Sequence, residues 1–435
     1  MREPVVQALP PLRVEKALGL LPDLEALEPL RSLLVSISRP DERALWSSSG
    51  PYLTLGKRGV RPEELRHRIP QVFHRIAGHL EALYTAYVEA LECQQRGDGV
   101  GVVQALLTAG RLEEGVGRVA QALEWYAVAL RVSEALQDRH PEVETLQALG
   151  RACLGLGLHA EGARHYQRCL ALAEAEFDPA AAISACEGLG KAAQAQVEWA
   201  GAEAWYARGL RLAEAAGDQR RIGGLLHELA TLACRKGELA AAGDYLRRAR
   251  GFFEPLTEAL AMAQVLNTQG QLDVQLGRQQ AAAAAYREAL AWLQRAPREP
   301  SLESGIRLNL AQLQLEAGRF LEAEEELRRA EQLAIGENLM RRLVQIYTVL
   351  GALRGRQLDE TGFVFFEQAV ELSRTVAPSS LAEAQVYEEY GLFQLRLGDR
   401  DTARAYLERA RDMYESAGGA TELEQVRKEL QQLSA

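Results

Sequence analysis

Apolar and small residues recur along most of this chain with the spacing of a helix, and no stretch alternates apolar with polar residues as a half-buried strand would. The stretch AQALEWYAVAL sets Ala122, Tyr126 and Ala129 at i, i+4 and i+7, which is one helix face. The same triplet returns as Gly162, Tyr166, Cys169, then Ala202, Tyr206, Gly209, then Ala242, Leu246, Ala249, then Ala282, Tyr286, Ala289, at a constant spacing of 40. With small slips it continues as Ala323, Leu327, Ala330, then Gly362, Phe366, Ala369, then Ala403, Leu407, Ala410.

A second small residue lies about twelve positions before each triplet: Gly110, Gly150, Gly190, Ala230, Gly270, Ala311, Gly351 and Gly391. A glycine usually stands five positions before it, at Gly117, Gly157, Gly237, Gly277, Gly318 and Gly398. Each unit therefore reads as a helix, a glycine-marked turn and a second helix. The small residues allow close approach of the paired helices, and the aromatic or Leu is expected to fill the space between neighbouring units. Pro141, Pro179, Pro255, Pro297, Pro300 and Pro378 mark breaks where helices should stop.

This arrangement resembles the tetratricopeptide repeat (TPR) family, whose motif is a small residue after Leu, a turn Gly, then Ala-x3-aromatic-x2-Ala. The clearest copies are LGRACLGLGLHAEGARHYQRCL and QGQLDVQLGRQQAAAAAYREAL, and the resemblance spans about residues 103 to 415 in eight units. The TPR period is 34 residues, so the 40 seen here implies lengthened helices or linkers. The seventh unit is one residue short between Gly351 and Gly362, which suggests an irregular joint or a shorter turn. The resemblance implies an all-α fold, a right-handed TPR superhelix or α-solenoid with a concave face. The expected organisation is a small helical N-terminal accessory or capping domain over 1–96, the array over 97–418, and a C-terminal capping helix over 419–435. In that last segment Leu423, Val426, Leu430 and Leu433 can face inward.

The first hundred residues lack the repeat register. Pro10, Pro11, Pro22 and Pro29 break the early part into short helices, residues 39–62 have loop character, and 69–95 reads as one long amphipathic helix. GPYLTLGKR has five residues between its glycines instead of four and Arg58 in place of Ser or Thr, so it does not make a phosphate loop. The cluster Lys57, Arg58, Arg61, Arg66, Arg68 and Arg75 could meet an acidic partner or nucleic acid, with a solvated helix face as the simpler account. His67, His74 and His79 lack the i,i+4 spacing of a close metal pair.

Composition narrows the function. The 435 residues carry a net charge of −10, with 47% hydrophobic and 25% charged. Acid and base balance over the first hundred residues, so the excess negative charge belongs to the array, which argues against nucleic acid as the partner. No run of about 18 apolar residues predicts a membrane span, and no signal-peptide core opens the chain. Cys93, Cys153, Cys169, Cys186 and Cys234 form no CxxC pair and read as small buried side chains in a reducing cytoplasm. His165 and Cys169 lie one helical turn apart, but the register puts Cys169 at a packing position. No catalytic motif, cofactor motif or metal site emerges, so the chain reads as non-enzymatic and cofactor-free.

In TPR proteins the concave face is lined mainly by the first helix of each unit. Three places before the first small residue this chain carries Leu107, Gln147, Glu187, His227, Asn267 and Leu308. One place after it come Arg111, Arg151, Lys191, Thr231, Gln271 and Gln312. The two positions are four apart and share a helix face. Polar, amide-rich rows suit an extended peptide held by its backbone, and the cations suit carboxylates. The expected partner-binding residues are thus Arg111, Gln147, Arg151, Glu187, Lys191, His227, Thr231, Asn267, Gln271 and Gln312. The alternative is a solvated face in which Glu187 and Lys191 pair along one helix. These features point to a scaffold or adaptor that binds a peptide or protein in its groove. A second reading is a regulatory sensor in which the array binds the signal and the N-terminal module transmits the response.

Overall fold

The structure, a computed structural model, describes residues 78–79, 82–115, 117–136, 138–337, 339–376, 381–417 and 420–434. It is helical nearly throughout, with no strand among the described residues. The loop at 39–62, the basic cluster at 57–75, GPYLTLGKR, His67 and His74 lie outside the described residues. Of the long helix expected over 69–95, residues 78–79 and 82–96 are described and are helical.

The chain divides after Leu256 into two compact units. In the first, the helical segment 82–96 is followed by four pairs: α1 (Gly99–Gly115) with α2 (Val119–Glu134), α3 (His140–Gly155) with α4 (His159–Ala175), α5 (Pro179–Ala195) with α6 (Trp199–Ala216), and α7 (Gln219–Lys236) with α8 (Leu239–Leu256). The second holds α9 (Ala259–Gln275) with α10 (Gln279–Leu293), α11 (Pro300–Glu316) with α12 (Phe320–Gly336), α13 (Met340–Arg356) with α14 (Gly362–Val376), α15 (Leu381–Leu397) with α16 (Arg400–Ala417), and a last helix, α17 (Ala420–Ser434). Within each unit every helix packs on the next, and the first helices of successive pairs also touch. This is a TPR-type helical repeat array, as the register implied.

Local chemistry explains the helix boundaries. Pro179 opens α5 behind an Asp178 cap whose carboxylate accepts the Ala181 N–H at 3.0 Å, and Asp218 caps α7 in the same way on Arg221. Pro141 and Pro300 likewise stand in the first turns of α3 and α11. The turns between paired helices need one residue in the left-handed region. Gly237 supplies it at φ 76°, and the other turn glycines named above do the same. Where glycine is missing the backbone still adopts that geometry: Val197 sits at φ 63° and Leu358 at φ 55°. Leu358 belongs to the short seventh unit, where α14 begins only after an extra turn at residues 360–361.

The triplets are core. Ala122, Tyr126 and Ala129 are fully buried, as are Ala323, Leu327 and Ala330. The aromatic member lies over the small residue of its own first helix rather than only between units. A Cβ on Gly110 would fall 2.2 Å from the Tyr126 ring, and one on Gly190 would fall 2.3 Å from Tyr206. Tyr166 does both jobs, meeting Gly150 of its own pair and Gly188 of the next. Leu83, Ala86 and Cys93 of the helical segment 82–96 share a core with Val102 and Leu106 of α1. At the other end Val426 and Leu433 of α17 are buried against Leu407 and Tyr414, with Leu423 and Leu430 beside them.

Candidate ligand-binding site

The first helix of each pair presents residues at i, i+3 or i+4, i+7 and i+11 to one side, so successive first helices lay down rows of side chains spaced by one repeat. The ten residues singled out from sequence fall into both units. Arg111, Gln147, Arg151, Glu187, Lys191, His227 and Thr231 belong to the first, and Asn267, Gln271 and Gln312 to the second.

In the first unit the cations are not waiting for a partner. Arg111 on α1 meets Glu144 on α3 at 3.1 Å, and Arg151 on α3 reaches back to Glu114 on α1 at 3.0 Å. Lys191 on α5 meets Glu187 of its own helix at 2.5 Å and Glu228 on α7 at 3.1 Å. Burial works to lower the Lys191 pKa, but Glu228 and Glu187 outweigh it and raise it. The cationic row is therefore a set of cross-repeat staples, each cation already facing a carboxylate. The Glu187–Lys191 pair anticipated from spacing is present, with a second acid added. Gln147 is half-buried and its amide bears on the Cys169 thiol, which burial pushes up to about 11. Cys169 is thus a core residue, matching its register position. Thr231 donates its hydroxyl to the His227 carbonyl at 3.0 Å, which ties it to its own helix.

In the second unit a cavity of about 490 Å³ is lined by four successive first helices, α9, α11, α13 and α15. Gln271 and Gln275 come from α9, Asn309, Gln312 and Glu316 from α11, Thr348, Ala352 and Arg356 from α13, and Gln385, Glu389 and Arg396 from α15. Val274, Leu313, Leu315 and Val349 add apolar wall, and Tyr286 of α10 contributes from the second-helix layer. The structure thus brings Gln271 and Gln312 together. Asn267 stands just behind, its side-chain carbonyl accepting from Asn309 at 3.0 Å.

Several lining residues escaped the sequence reading. Asn309 replaces its neighbour Leu308, which is 3% exposed and part of the core, so the exposed face of α11 is rotated by one residue from the row chosen. Thr348 and Ala352 continue the two rows into the seventh unit, three places before and one after Gly351. Gln275, Glu316, Arg356 and Arg396 form a third row, five positions after Gly270, Ala311, Gly351 and Gly391. Extending the two rows into the seventh unit would have found Thr348 and Ala352, and reading one more turn along each first helix would have found the third row. Burial raises the Glu389 pKa, with Arg396 opposing and Glu429 adding to the rise. No group of three or more His, Cys, Asp or Glu side chains is placed to hold a metal among the described residues. No helix among them is long and apolar enough to cross a membrane.

Comparison with known proteins supplies a fold and no sequence relative. No protein-family model matches the chain, and no curated protein matches it. Among solved structures, the apo form of the quorum sensor NprR from B. thuringiensis aligns at 15% identity and TM-score 0.55, over 79% of this chain and 99% of its own. A Rap protein complexed with Competence and Sporulation Factor aligns at 14% identity and TM-score 0.54, over 83% of this chain and 99% of its own. At these identities the shared property is the helical-repeat architecture.

Proposed function

We propose that this chain is a cytoplasmic, non-catalytic binding protein whose array receives a peptide, or an extended segment of a protein partner, in the cavity of the second unit. One observation carries the reading: a cavity lined by four consecutive first helices carries five amides, Gln271, Gln275, Asn309, Gln312 and Gln385, with Thr348 beside them. Amide side chains both donate and accept, and so match the alternating N–H and C=O groups of an extended backbone without demanding a particular sequence. The Leu313, Leu315 and Val349 wall suits apolar side chains between those contacts. Nothing in the cavity forms a nucleophile–base pair, which favours binding over chemistry. Of the ten residues chosen from sequence, Gln271, Gln312 and Asn267 stay in the proposed site, Arg111, Arg151 and Lys191 act as inter-repeat staples, Glu187 pairs with Lys191 along one helix, and Gln147, His227 and Thr231 belong to the first unit.

A second reading is a regulatory sensor in which the bound peptide is a signal and residues 1–96 act as accessory module. It is supported by the likeness to NprR, described as a quorum sensor, and to the Rap protein complexed with Competence and Sporulation Factor. The test common to both readings uses fluorescein-labelled random heptapeptide pools against the full chain, followed by anisotropy. Binding should weaken at least about tenfold in the Asn309→Ala, Gln312→Ala double variant, with unchanged melting. Binding indifferent to those changes, or no binding by any pool, refutes the site. Hydrogen exchange in the N-terminal segment that responds to peptide favours the sensor; none favours the adaptor.

A further inference from the structure

The tyrosine of the triplet keeps one place in its helix pair, but its hydroxyl does not keep one partner. A Cβ on Gly110, Gly190 and Gly270 would fall 2.2, 2.3 and 2.4 Å from Cε1 of Tyr126, Tyr206 and Tyr286 respectively, so the three rings lie alike over their first helices. The residue twelve positions earlier then decides what the hydroxyl meets. Tyr126 donates to Glu114 at 2.6 Å, and Tyr206 donates to Gln194 at 3.0 Å. In the α9–α10 pair that position holds Val274, which can neither accept nor donate. Tyr286 is 2% exposed and makes no hydrogen bond among the described residues, yet it lines the cavity together with Val274. A buried hydroxyl without a partner costs free energy and is uncommon in native folds. Asp273 does not serve it: that carboxylate accepts from Gln269 at 3.0 Å and stands 3.8 Å from Arg278. Burial first, and the Asp273 charge second, raise the Tyr286 pKa, so the phenol keeps its proton. Leu154 deprives Tyr166 of the same acceptor, but Tyr166 does not line this cavity.

Resting on the peptide reading above, we propose that the Tyr286 hydroxyl is a ligand-binding group, a neutral donor that Val274 leaves unpaired and that the ligand satisfies with an amide carbonyl. The ligand then does for Tyr286 what Gln194 does for Tyr206. A core position of the repeat thereby acquires a second role, because the residue opposite its hydroxyl has become apolar. A site that buries an unpaired polar group discriminates against ligands lacking the matching group, since their binding leaves it both dry and unpaired. The acceptor is uncharged. Asp273 is near enough to act on the Tyr286 proton, and it repels a ligand carboxylate brought to the same place. The apolar wall of Val274, Leu313 and Leu315 strengthens a hydrogen bond made against it. Two sources carry this chemistry, the carboxamide of an Asn or Gln side chain and a carbonyl of the peptide backbone.

The experiment uses the full chain and begins without ligand. Tyr286→Phe keeps the ring over Gly270 and should melt at or slightly above wild type, whereas Tyr206→Phe should melt below it. A loss in Tyr286→Phe as large as that in Tyr206→Phe reveals a partner within the protein and overturns the proposal. Val274→Gln rebuilds the acceptor and should raise melting in wild type but not in Tyr286→Phe. An equal rise in both backgrounds overturns the placement of the hydroxyl beside residue 274. Binding is then followed by anisotropy with fluorescein-labelled heptapeptide pools free of Asn, Gln, Asp and Glu, except that Gln, Glu or Leu is fixed at each position in turn. Tyr286→Phe should weaken binding roughly three- to tenfold, the weight of one neutral hydrogen bond, while Tyr166→Phe leaves it unchanged. Weakening confined to Gln pools identifies a side-chain carboxamide, and equal weakening of Gln and Leu pools identifies the backbone. Glu pools that bind more tightly than Gln pools overturn the uncharged acceptor. Binding that Tyr286→Phe does not weaken, or that Tyr166→Phe weakens as much, overturns the contact and leaves the peptide reading standing. Absence of binding to wild type by every pool overturns both.

Discussion

Gly190 and Gly224 offer the same substitution in two environments. Both lie inside helices, α5 and α7, and Gly→Ala in a helix interior gains about 1 kcal/mol from propensity alone. At Gly224 a Cβ would meet nothing within 4 Å, so Gly224→Ala should show that gain. At Gly190 the Cβ would fall 2.3 Å from Tyr206 Cε1, 2.5 Å from Cδ1 and 2.8 Å from Cζ. Ordinary carbon–carbon contact is about 3.5–4.0 Å, so the ring would have to retreat by roughly 1 Å or more. It has little room to do so. Tyr206 is fully buried, and its hydroxyl donates to Gln194 Oε1 at 3.0 Å. Overpacking of this kind costs roughly 1–3 kcal/mol. Because the propensity term is common to both variants, Gly190→Ala should be less stable than Gly224→Ala by about 1–3 kcal/mol. Thermal melts and urea unfolding followed by circular dichroism at 222 nm would measure it, at about 2–4 °C per kcal/mol for a unit of this size. Hydrogen exchange should place the loss in α5 and α6, since repeat contacts are local. Equal stability of the two variants would mean that the aromatic is not clamped on the glycine, and the account of the repeat core would fail.

Val197 holds a left-handed turn at φ 63° with a β-branched, 62% exposed side chain, so Val197→Gly should stabilise by about 0.5–1 kcal/mol, and a fall in Tm would refute the strain. Lys191→Glu places a third carboxylate beside Glu187 and Glu228 and should cost about 1 kcal/mol at low salt and less at high salt, while Lys191→Gln costs less; melting independent of salt would show that the staple carries no weight. Burial pushes the Glu388 carboxyl up from 4.5 to about 7, against a 2.6 Å hydrogen bond donated by Tyr414, with Glu429, Glu389 and Glu422 adding to the rise. A raised carboxyl favours the protonated fold, so that contribution is present in full below about pH 4.5 and is lost as pH rises through 7. Hydrogen exchange of α16 and α17 should therefore slow as pH falls from 7.5 to 5, after correction for intrinsic exchange. Glu388→Gln should flatten that dependence, and an unchanged slope would refute the assignment.

The repeat was legible because it is written in local terms. A triplet at i, i+4 and i+7 defines a helix face, and recurrence every 40 residues defines neighbours, so the sequence alone places Ala122, Tyr126 and Ala129 in the core. The glycines of the turns and the inward face of α17 follow from the same short-range chemistry, at Gly237 as at Val426. Charge pairing was not legible. Arg111 and Glu144 are 33 residues apart, and Arg151 and Glu114 are 37 apart. Whether a cation in a register row is free or stapled depends on which rotamers meet across two helices, and spacing along one helix says nothing of that. The lining row at Asn309 instead of Leu308 is a rotation of one residue, about 100° around the helix axis, which the angle of packing between pairs decides. The cavity, too, exists only once α9, α11, α13 and α15 stand side by side. The sequence therefore determined the repeat, its core and the helix side on which a ligand would be sought. Tertiary structure decided which polar groups on that side satisfy one another, as Arg111 and Glu144 do, and which line the cavity, as Gln271 and Gln312 do, because those outcomes depend on contacts between segments that the chain brings together only when folded.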